Sequence, residues 1–330
     1  MNVLVTGGAG YIGSITAQAL LDRGHRVTVL DDLSTGHRGA VPAGASFVQA
    51  DIADAAVVGR TLADHRVEAV LHFAALSLVG DSMKEPIAYY RNNVAGSLSL
   101  LGAVLEAGVG RFVLSSTASL YGTPDSVPIS EEARIRPENV YGETKLAIEK
   151  LLHWLSQTKG LGYAALRYFN AAGATSAQGE DHDPESHLIP IVLQVASGRR
   201  PHVAVFGNDY ATPDGTAVRD YVHVLDLADA HVLALEAIRP GEGAAFNLGS
   251  GSGFSVRRVI EVCRDVTGRP ITEVAAPRRA GDPATLVADS SKARRELGWQ
   301  PRHESVHEMV ESAWRWHLAH PHGYHGLSAD

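Results

Sequence analysis

Cysteine is nearly absent from this 330-residue chain, which contains only Cys263. A single cysteine cannot form a disulfide within the chain, and it fits a reducing compartment such as the cytoplasm. Cys263 lies in an apolar stretch, so we expect a buried helical thiol rather than a nucleophile. The sequence also lacks a run of about 18 apolar residues and a basic leader followed by an apolar segment. We therefore expect neither a transmembrane helix nor a signal peptide.

Basic residues are fewer than acidic ones, with 29 Lys and Arg against 37 Asp and Glu. A nucleic-acid-binding surface needs clustered positive charge, so this balance argues against a nucleic-acid partner. The histidines near the C-terminus lack a tight ligand spacing, and we predict solvated side chains and no metal site. They are His303, His307, His317, His320, His322 and His325.

The first thirteen residues have the pattern of a nucleotide-binding turn. Residues 1–6 read as a short buried strand, and a helical pattern follows the glycines through Leu21. We expect Gly7 to permit a tight turn, Gly10 to let the backbone approach a pyrophosphate, and Gly13 to let the helix pack closely on the strand. The helix N-terminus would offer N–H groups to the phosphates. The segment therefore predicts dinucleotide binding.

Acidic residues follow the next two predicted strands. A carboxylate at Asp31 or Asp32 could accept both ribose hydroxyls and would repel a 2′-phosphate. This favours NAD over NADP, although Arg38 lies nearby. Asp51, after the third strand, is placed to receive the adenine amino group or to cap the next helix.

Strand and helix patterns alternate through the first half of the chain. We predict further strands over 26–30, 46–50, 68–72 and 111–114. The alternation predicts an α/β fold with a Rossmann-type, doubly wound parallel sheet. A long helical pattern over 86–107 contains Asn92 and Asn93, whose poor helix propensity suggests inward polar contacts.

Tyr141 and Lys145 are the clearest catalytic candidates. They lie four residues apart in a predicted helix that reaches about Ser156, so their side chains share one face. The Lys145 ammonium and a positively charged nicotinamide ring would both favour the phenolate, so we expect the pKa of Tyr141 to be lowered and the phenolate to act as a base. Thr117, just past a predicted strand end, would supply a hydroxyl for the substrate oxygen. Lys145 could also hold the nicotinamide ribose.

These segments resemble the UDP-glucose 4-epimerase family, also called UDP-galactose 4-epimerase, of the extended short-chain dehydrogenases/reductases. The resemblance runs from Val3 to Pro321. It is carried by the segments 7–13, 72–76, 141–145, 166–170, 206–210, 214–216, 218–224, 247–249 and 277–282. The Gly-Asn-Asp-Tyr and Asp-Gly-Thr segments at 207–210 and 214–216 are the most particular to the family.

The resemblance implies an NAD-dependent isomerase reaction. Tyr141 would remove the proton of the sugar 4′-hydroxyl while Thr117 orients it, and hydride would pass to NAD and return to the other face of a transient 4-keto sugar. The expected cofactor contacts are Gly7, Gly10, Tyr11, Ile12, Gly13, Asp31, Asp32, Asp51, Ile52, Phe73, Ala74, Ala75, Asn92, Ser115, Tyr141, Lys145 and Tyr168.

The resemblance also implies a UDP-sugar site in the second half of the chain. Arg219 and Arg279 match phosphate-binding arginines, Asp282 matches the acid that binds a ribose hydroxyl, and Asn170 matches a side chain that contacts the diphosphate and sugar. The expected substrate contacts are Thr117, Tyr141, Asn170, His187, Leu188, Val205, Phe206, Arg219, Arg279, Asp282 and Leu286. We expect residues 1–170 to form the NAD-binding domain, to which 224–248 return. Residues 171–223 and 249–330 would form a smaller α/β substrate lobe.

Four positions depart from the family pattern. Ser77 stands where many members have a Lys that helps to bind the NAD phosphates, and Thr117 stands where many have Ser. His187 replaces an Asn that commonly contacts the nucleotide. Leu286 replaces a Tyr of some members, which leaves room near the sugar 2-position and suggests that UDP-N-acetylglucosamine and its epimer also fit.

Three other functions are less favoured by the sequence, and among them only an epimerase of another UDP-sugar is not opposed by particular residues. A 4,6-dehydratase needs an acid and a base after Thr117, where this chain has Ala118 and Ser119. An epimerase of UDP-glucuronate or UDP-xylose would differ mainly in the sugar pocket. A non-catalytic NAD-binding regulator would not need Tyr141, Lys145 and Thr117. The helices predicted over 86–107 and 140–156 resemble those of the family's dimer contact, so we expect a cytoplasmic homodimer.

Overall fold

Fourteen strands and eleven α-helices are present in the computed structural model, which describes residues 1–279 and 282–324. His325, Ala280 and Gly281 of the sequence analysis lie outside the described residues. The strands are β1 (Asn2–Thr6), β2 (Arg26–Asp31), β3 (Ser46–Gln49), β4 (Ala69–His72), β5 (Arg111–Thr117), β6 (Gly162–Tyr168), β7 (Asn170–Ala172), β8 (Val203–Phe206), β9 (Val218–Arg219), β10 (Tyr221–His223), β11 (Gly243–Leu248), β12 (Phe254–Ser255), β13 (Glu273–Ala276) and β14 (Thr285–Leu286).

The helices alternate with the strands of the first half and cluster in the second. They are α1 (Tyr11–Asp22), α2 (Ala55–Asp64), α3 (Val79–Ser82), α4 (Pro86–Tyr89), α5 (Gly96–Glu106), α6 (Val140–Lys159), α7 (Leu188–Ala196), α8 (Val224–Ala237), α9 (Val256–Thr267), α10 (Ser291–Glu296) and α11 (Val306–Ala319). Short 3₁₀ turns span Arg38–Ala40 and Ala118–Leu120, and a π-helical segment spans Tyr90–Ala95. No helix in the described ranges has both the length and the apolar character needed to cross a bilayer.

The main sheet has seven strands in the order β11-β6-β5-β4-β1-β2-β3, and every neighbouring pair is parallel. The strand order reverses between β1 and β4: β2 and β3 lie on one side of β1, and β4, β5, β6 and β11 lie on the other. In open α/β sheets, ligands bind outside the carboxyl ends of strands at such a point. The Rossmann-type fold class is therefore confirmed.

Apolar residues on the two faces of these strands build two separate cores. Leu4 faces a core that includes Leu100 and Ile148, whereas Val3 and Val5 face a core with Leu227 of α8. Because successive strand residues point to opposite faces, a strand covered by helices on both sides must be apolar throughout. Helices α1 and α8 thus cover one face, and α2, α5 and α6 cover the other.

The later helices enclose a third core outside the main sheet. Residues of α7, α9 and α11 pack there with the β8–β13 pair. Cys263 of α9 is fully buried in it, which confirms the expected buried helical cysteine, and burial raises the pKa of its thiol to about 12. Residues 224–248 supply α8 and the edge strand β11 of the main sheet. The division of the chain into two domains at the stated boundaries stays a prediction.

The long helix expected over 86–107 is interrupted by the π-helical segment. The wider turn accommodates Asn93, whose side chain bonds the backbone of Leu76 and the hydroxyl of Thr144. A π-bulge of this kind inside a helix often marks a functional site. The expectation of inward polar contacts is thus met by Asn93, while Asn92 is half-buried.

Two local predictions about polar residues were wrong. The fifth strand does not end at residue 114, because its last three residues pair with Leu166, Arg167 and Tyr168 of β6, so Thr117 lies inside the strand. The N-cap of α2 is Asp54, whose carboxylate accepts the N–H groups of Ala56 and Val57. Asp51 instead accepts the N–H of Ala53 in the preceding turn.

Candidate active site

A cavity of about 1630 Å³ runs along the carboxyl ends of the main strands. It extends from Gly10 and Asp31 at one end to Phe206 and Arg279 at the other. Single-ligand sites usually measure roughly 300–1,000 Å³, so this cavity has room for two ligands side by side. With one exception, Val205, every residue expected to contact cofactor or substrate lines it.

Val205 is the exception because of strand alternation. It is 4 % exposed and packs in the core formed by α7, α9 and α11. Neighbouring residues of a strand point to opposite faces, so Ala204 and Phe206 face the cavity instead. The assignment of Val205 to substrate binding was therefore wrong by one residue.

The glycine turn after β1 is closely packed against the end of β4. Gly7 has a φ of 72°, and a Cβ there would lie 2.4 Å from the main-chain nitrogen of Ala74. A Cβ on Gly13 would lie 2.3 Å from the Gly7 carbonyl oxygen. Gly10 leaves the first turn of α1 open on the cavity side. The turn therefore needs glycine at 7 and 13 for packing, and it presents bare backbone to a ligand.

Asp31 ends β2 with a carboxylate that faces the same turn. One oxygen accepts the N–H of Ala9 at 2.9 Å and the other accepts the N–H of Leu33 at 2.9 Å. Burial raises the pKa of Asp31, while these two hydrogen bonds lower it. Each oxygen keeps a second lone pair, so the carboxylate can still accept hydroxyl groups of a ribose. Asp32 is exposed and holds Ser34 through its side chain.

Small and apolar residues line the middle of the cavity. Phe73, Ala74 and Ala75 follow β4 and line the cavity. The two alanines are too small to close the cavity, and the Phe73 ring packs on His231, with 4.7 Å between the ring centroids. Ile52 is buried on the opposite wall. Tyr11 lies at the start of α1 and donates a hydrogen bond from its hydroxyl to the Gly173 carbonyl at 2.5 Å, with Ile12 beside it in the lining.

Lys145 is buried beneath the reactive part of the cavity. It is 1 % exposed, and its Nζ donates to the Ser115 carbonyl at 2.8 Å. Burial lowers the pKa of Lys145 to about 8, and the nearby Glu149 charge opposes that shift. The Ser115 hydroxyl bonds the Tyr168 hydroxyl. Strand β5 and helix α6 thus hold the ammonium from two sides.

The Tyr141 pKa does not follow the expectation from sequence. Burial raises the pKa of Tyr141 to about 12, and a hydrogen bond with Thr117 only partly opposes this rise. The Lys145 ammonium is 6.0 Å from the ring centroid, too far to outweigh the loss of solvent around the phenolate. The protein's own groups therefore keep this phenol protonated, and additional positive charge is needed to lower its pKa.

Thr117 nevertheless lies where a substrate oxygen would be held. Its hydroxyl oxygen accepts the N–H of Ser119 at 3.1 Å and interacts with the phenol of Tyr141. The backbone N–H of Tyr141 is in turn bonded to the Ser82 hydroxyl. Thr117, Tyr141 and Lys145 are therefore brought to one point of the cavity by β5 and α6.

Two predicted substrate residues pair with each other at the far end of the cavity. Arg219 of β9 forms an ion pair with Asp282, and its other terminal nitrogen donates to the Val218 carbonyl at 2.7 Å. Arg279 lies over the Phe206 ring at 4.1 Å from the centroid. Arginines held in this way present their remaining N–H groups in a fixed direction, which suits phosphate oxygens.

Asn170 and His187 are engaged by the protein itself. Asn170 donates from its amide nitrogen to the Asp220 carbonyl at 2.7 Å. His187 directs Nδ1 to two carboxylates, those of Glu180 and Glu185. Leu188 begins α7 beside it, and Leu286 of β14 packs near Ala118, both half-buried in the lining.

Sequence reasoning missed two residues that organise the site. Ser82 accepts the backbone N–H of Tyr141, and Glu149 accepts the hydroxyl of Ser116 in the strand that carries Thr117. Asn93, which the sequence did single out, bonds Thr144 of α6. Nothing in the local pattern distinguished Glu149 from other helical glutamates.

These features fit a dinucleotide at the glycine-turn end. The turn at Gly7 has no room for a side chain, and at Gly10 the main chain itself faces the cavity. The Asp31 carboxylate suits ribose hydroxyls, and it would repel a 2′-phosphate. Gly7, Gly10 and Gly13 with Asp31 would hold the adenosine and phosphates, and Tyr141, Lys145 and Tyr168 border the opposite end.

Comparison with known proteins identifies consistent relatives. The model of the NAD dependent epimerase/dehydratase family matches residues 3–249. The UDP-glucose 4-epimerase of Halalkalibacterium halodurans is 56 % identical over 327 residues, covering 98 % of both chains. A crystal structure of a UDP-glucose 4-epimerase is 52 % identical with a TM-score of 0.96, covering 98 % of this chain and 99 % of that one. The Bifidobacterium longum UDP-glucose 4-epimerase, solved with NAD⁺ and UDP, is 38 % identical with a TM-score of 0.93, covering 98 % and 100 %.

Proposed function

Because this chain belongs to the NAD dependent epimerase/dehydratase family, its cofactor is NAD, and we propose that it is an isomerase that interconverts UDP-glucose and UDP-galactose. The observation that carries this proposal is the meeting of Thr117, Tyr141 and Lys145 between the two ends of one cavity. One end suits a dinucleotide and the other suits a nucleotide diphosphate. The reacting carbon of a sugar would lie between them.

The chain's own residues perform the acid–base part of the reaction. Tyr141 takes the proton of the sugar 4′-hydroxyl at its phenolic oxygen and later returns it, while Thr117 holds the same sugar oxygen. NAD⁺, when bound, would accept the hydride that leaves C4′ of the sugar, and its positive charge would favour the phenolate of Tyr141. Lys145 adds a second positive charge from below. No second substrate is consumed, because the sugar regains the hydride that it lost.

The far end of the cavity binds the UDP moiety, which is the same in both substrates. Arg219 and Arg279 bind the diphosphate, and Asp282 and Phe206 contact the uridine portion. Asn170 contacts the diphosphate and the sugar, and His187 with Leu188 borders the nucleotide. Anchoring the UDP while the 4-keto sugar turns lets hydride return to the other face.

The test is incubation of purified protein with UDP-galactose and NAD, without any other electron acceptor, followed by separation of the UDP-sugars. We expect UDP-glucose to accumulate to an equilibrium mixture. Failure of this conversion would contradict the proposal. Turnover of UDP-glucuronate or UDP-xylose instead would favour an epimerase of another UDP-sugar, and binding of NAD without any turnover would favour a regulator.

We also propose that the N-acetylated pair of UDP-sugars fits. Leu286 is half-buried in the cavity lining and lacks the ring and hydroxyl of a tyrosine. A Leu286→Tyr variant should lose turnover of UDP-N-acetylglucosamine while it retains that of UDP-glucose. Equal effects on the two pairs would argue against a role of Leu286 in this selectivity.

A homodimer is a further proposal, supported by exposed apolar side chains on two adjacent helices. Ile87 of α4 is 73 % exposed and Trp154 of α6 is 63 % exposed, and Tyr90 and Leu98 are exposed in the π-helical segment and α5 that continue from α4. Monomers rarely expose several large apolar side chains together, and such patches often mark interaction surfaces. We propose a cytoplasmic location as well, supported by the single buried cysteine.

A further inference from the structure

Four side chains of the loop before α7 converge on one point beside the cavity. They are Glu180, His182, Glu185 and His187. Each contributes one nitrogen or oxygen atom, and these four atoms all lie within 4.8 Å of one another. None belongs to the C-terminal histidines that drew attention in the sequence. The spacing, Glu-x-His-x-x-Glu-x-His, places all four ligand candidates within one short loop.

The contacts within the cluster share one carboxylate oxygen. Oε1 of Glu180 lies 3.2 Å from Nδ1 of His182 and 2.6 Å from Nδ1 of His187. The same His187 nitrogen lies 3.1 Å from Oε1 of Glu185. An unprotonated Nδ1 is an acceptor and would be repelled by a carboxylate oxygen. A hydrogen atom on each Nδ1, or a metal ion, must therefore lie between these atoms.

The two imidazoles and two carboxylates lie close enough to share one cation. The imidazole rings of His182 and His187 are 5.4 Å apart. The cluster is thus built to attract positive charge. One divalent ion would satisfy both imidazoles and both carboxylates.

No protein cation is seen to fill this position among the described contacts. Arg200 bonds the Glu185 carbonyl and the Gln194 side chain rather than the carboxylates. Asp181, between two cluster members in sequence, instead accepts the N–H of Tyr324 at 2.8 Å. Glu180 is only 8 % exposed, and a buried carboxylate is costly without an ionic partner or a metal.

We propose that Glu180, His182, Glu185 and His187 form a structural site for a divalent transition-metal ion of the zinc class. Two imidazoles and two carboxylates give four nitrogen and oxygen ligands, the number that a closed tetrahedral zinc site uses. With zinc-ligand distances of roughly 2.0–2.2 Å, donor atoms of a tetrahedral site lie about 3.4 Å apart. The pair at 2.6 Å would therefore separate, and any pair near the 4.8 Å limit would approach. The ion would tie the loop after β7 to the start of α7, which borders the nucleotide end of the cavity.

Metal binding by tag-free, full-length protein tests the site directly. After chelator treatment, equilibrium dialysis against Zn²⁺ and mass spectrometry of the metal should give one tightly held ion per chain. Replacement by Co²⁺ should produce the visible absorption of a four-coordinate site. The His182→Gln and Glu180→Gln variants should bind zinc at least about tenfold more weakly, and a His307→Gln variant, which changes an exposed histidine of α11, should bind like the unchanged protein.

Several outcomes would overturn the site. These are binding of less than one ion per chain, loss of the ion on simple washing, and equal binding by all three variants. Each of these results would mean that the protein binds adventitious ions only. If the two cluster variants fold poorly, the unchanged protein still decides the matter through its Co²⁺ spectrum. A zinc-dependent rise in its thermal midpoint would support the structural role, and a six-coordinate Co²⁺ spectrum would contradict the closed site. None of these measurements depends on epimerase activity, so the proposed function can fail independently.

Discussion

Glu149 of α6 and Arg167 of β6 form a buried ion pair directly behind the strand that carries Thr117. Both oxygens of Glu149 accept hydrogen bonds from Arg167, and one also accepts the Ser116 hydroxyl. Arg167 in turn donates to the Tyr121 hydroxyl at 2.9 Å. The pair therefore fixes α6, with its Tyr141 and Lys145, against the two strands that complete the site.

Replacing Glu149 by Gln should destabilise the protein strongly. The substitution leaves the Arg167 guanidinium buried without its counter-charge, and breaking a buried pair costs about 3–5 kcal/mol. Urea unfolding followed by circular dichroism measures the change in the free energy of unfolding. Glu143→Gln on the exposed face of the same helix is the matched control and should change it by less than about 0.5 kcal/mol. Similar losses for both variants would show that the pair has no special role.

Replacing Tyr141 by Phe should abolish most turnover while leaving ligand binding intact. The change removes only the phenolic oxygen that exchanges the proton, and such acid–base groups contribute about 10²–10⁴-fold to rate. Turnover of UDP-galactose and calorimetric titration with UDP measure the two properties separately. Tyr163→Phe, on a half-buried tyrosine of β6 outside the cavity, should keep full turnover. Activity of Tyr141→Phe within a few-fold of the unchanged enzyme would mean that another group is the base.

Replacing Gly13 by Ala should impair the cofactor end of the cavity. The added Cβ would lie 2.3 Å from the Gly7 carbonyl oxygen, so the turn and α1 must move apart. We expect at least about tenfold weaker NAD binding, measured by fluorescence titration, because a displacement of 1 Å already costs much in a preorganised site. Gly59→Ala in α2 meets no atom within 4 Å and should bind NAD normally. Normal NAD binding by Gly13→Ala would show that this packing is not required.

The buried histidine His231 should make the protein less stable in acid. Burial lowers its pKa from 6.5 to about 4, so between these values the unfolded state binds a proton that the folded state does not. The free energy of unfolding therefore falls as pH drops from 6.5 to 4, by up to ~1.4 kcal/mol per pH unit for one proton. His231→Phe retains a ring beside Phe73 and Tyr168 and should remove the share of this slope that His231 contributes. The shares of His72 and His223, whose pKa values burial lowers to about 3 and about 4, should remain. Parallel pH curves for both proteins would contradict a neutral buried His231.

Replacing Ile87 by Lys should separate the proposed homodimer. The side chain is 73 % exposed in one chain, and a charge at the centre of an apolar contact would have to be desolvated. Light scattering during size-exclusion chromatography gives the mass, with a dimer expected for the unchanged protein and a monomer for the variant. Leu318→Lys, at an apolar position of α11 that is 56 % exposed, should remain a dimer. A monomeric unchanged protein would refute the dimer.

Local patterns in the sequence predicted the first five strands of the main sheet and the glycine turn, and the family resemblance implied most of the cavity lining. A buried parallel strand must be apolar along its length, and a turn that packs against backbone needs glycine, so both leave local marks in the sequence. The four-residue spacing of Tyr141 and Lys145 in one helix likewise placed their side chains on a common face. Strand boundaries were less certain, since pairing with β6 extends β5 to Thr117.

Only the tertiary structure decided what these side chains experience. The pKa of Tyr141 is raised because neighbouring elements remove its solvent, and a pair of residues in one helix cannot report that desolvation. Val205 faces a core because α7, α9 and α11 cover that side of β8. The pairing of Arg219 with Asp282, and of Glu149 with Arg167, joins residues far apart in the chain. Sequence thus determined which elements form, and packing determined their charges, partners and exposed faces.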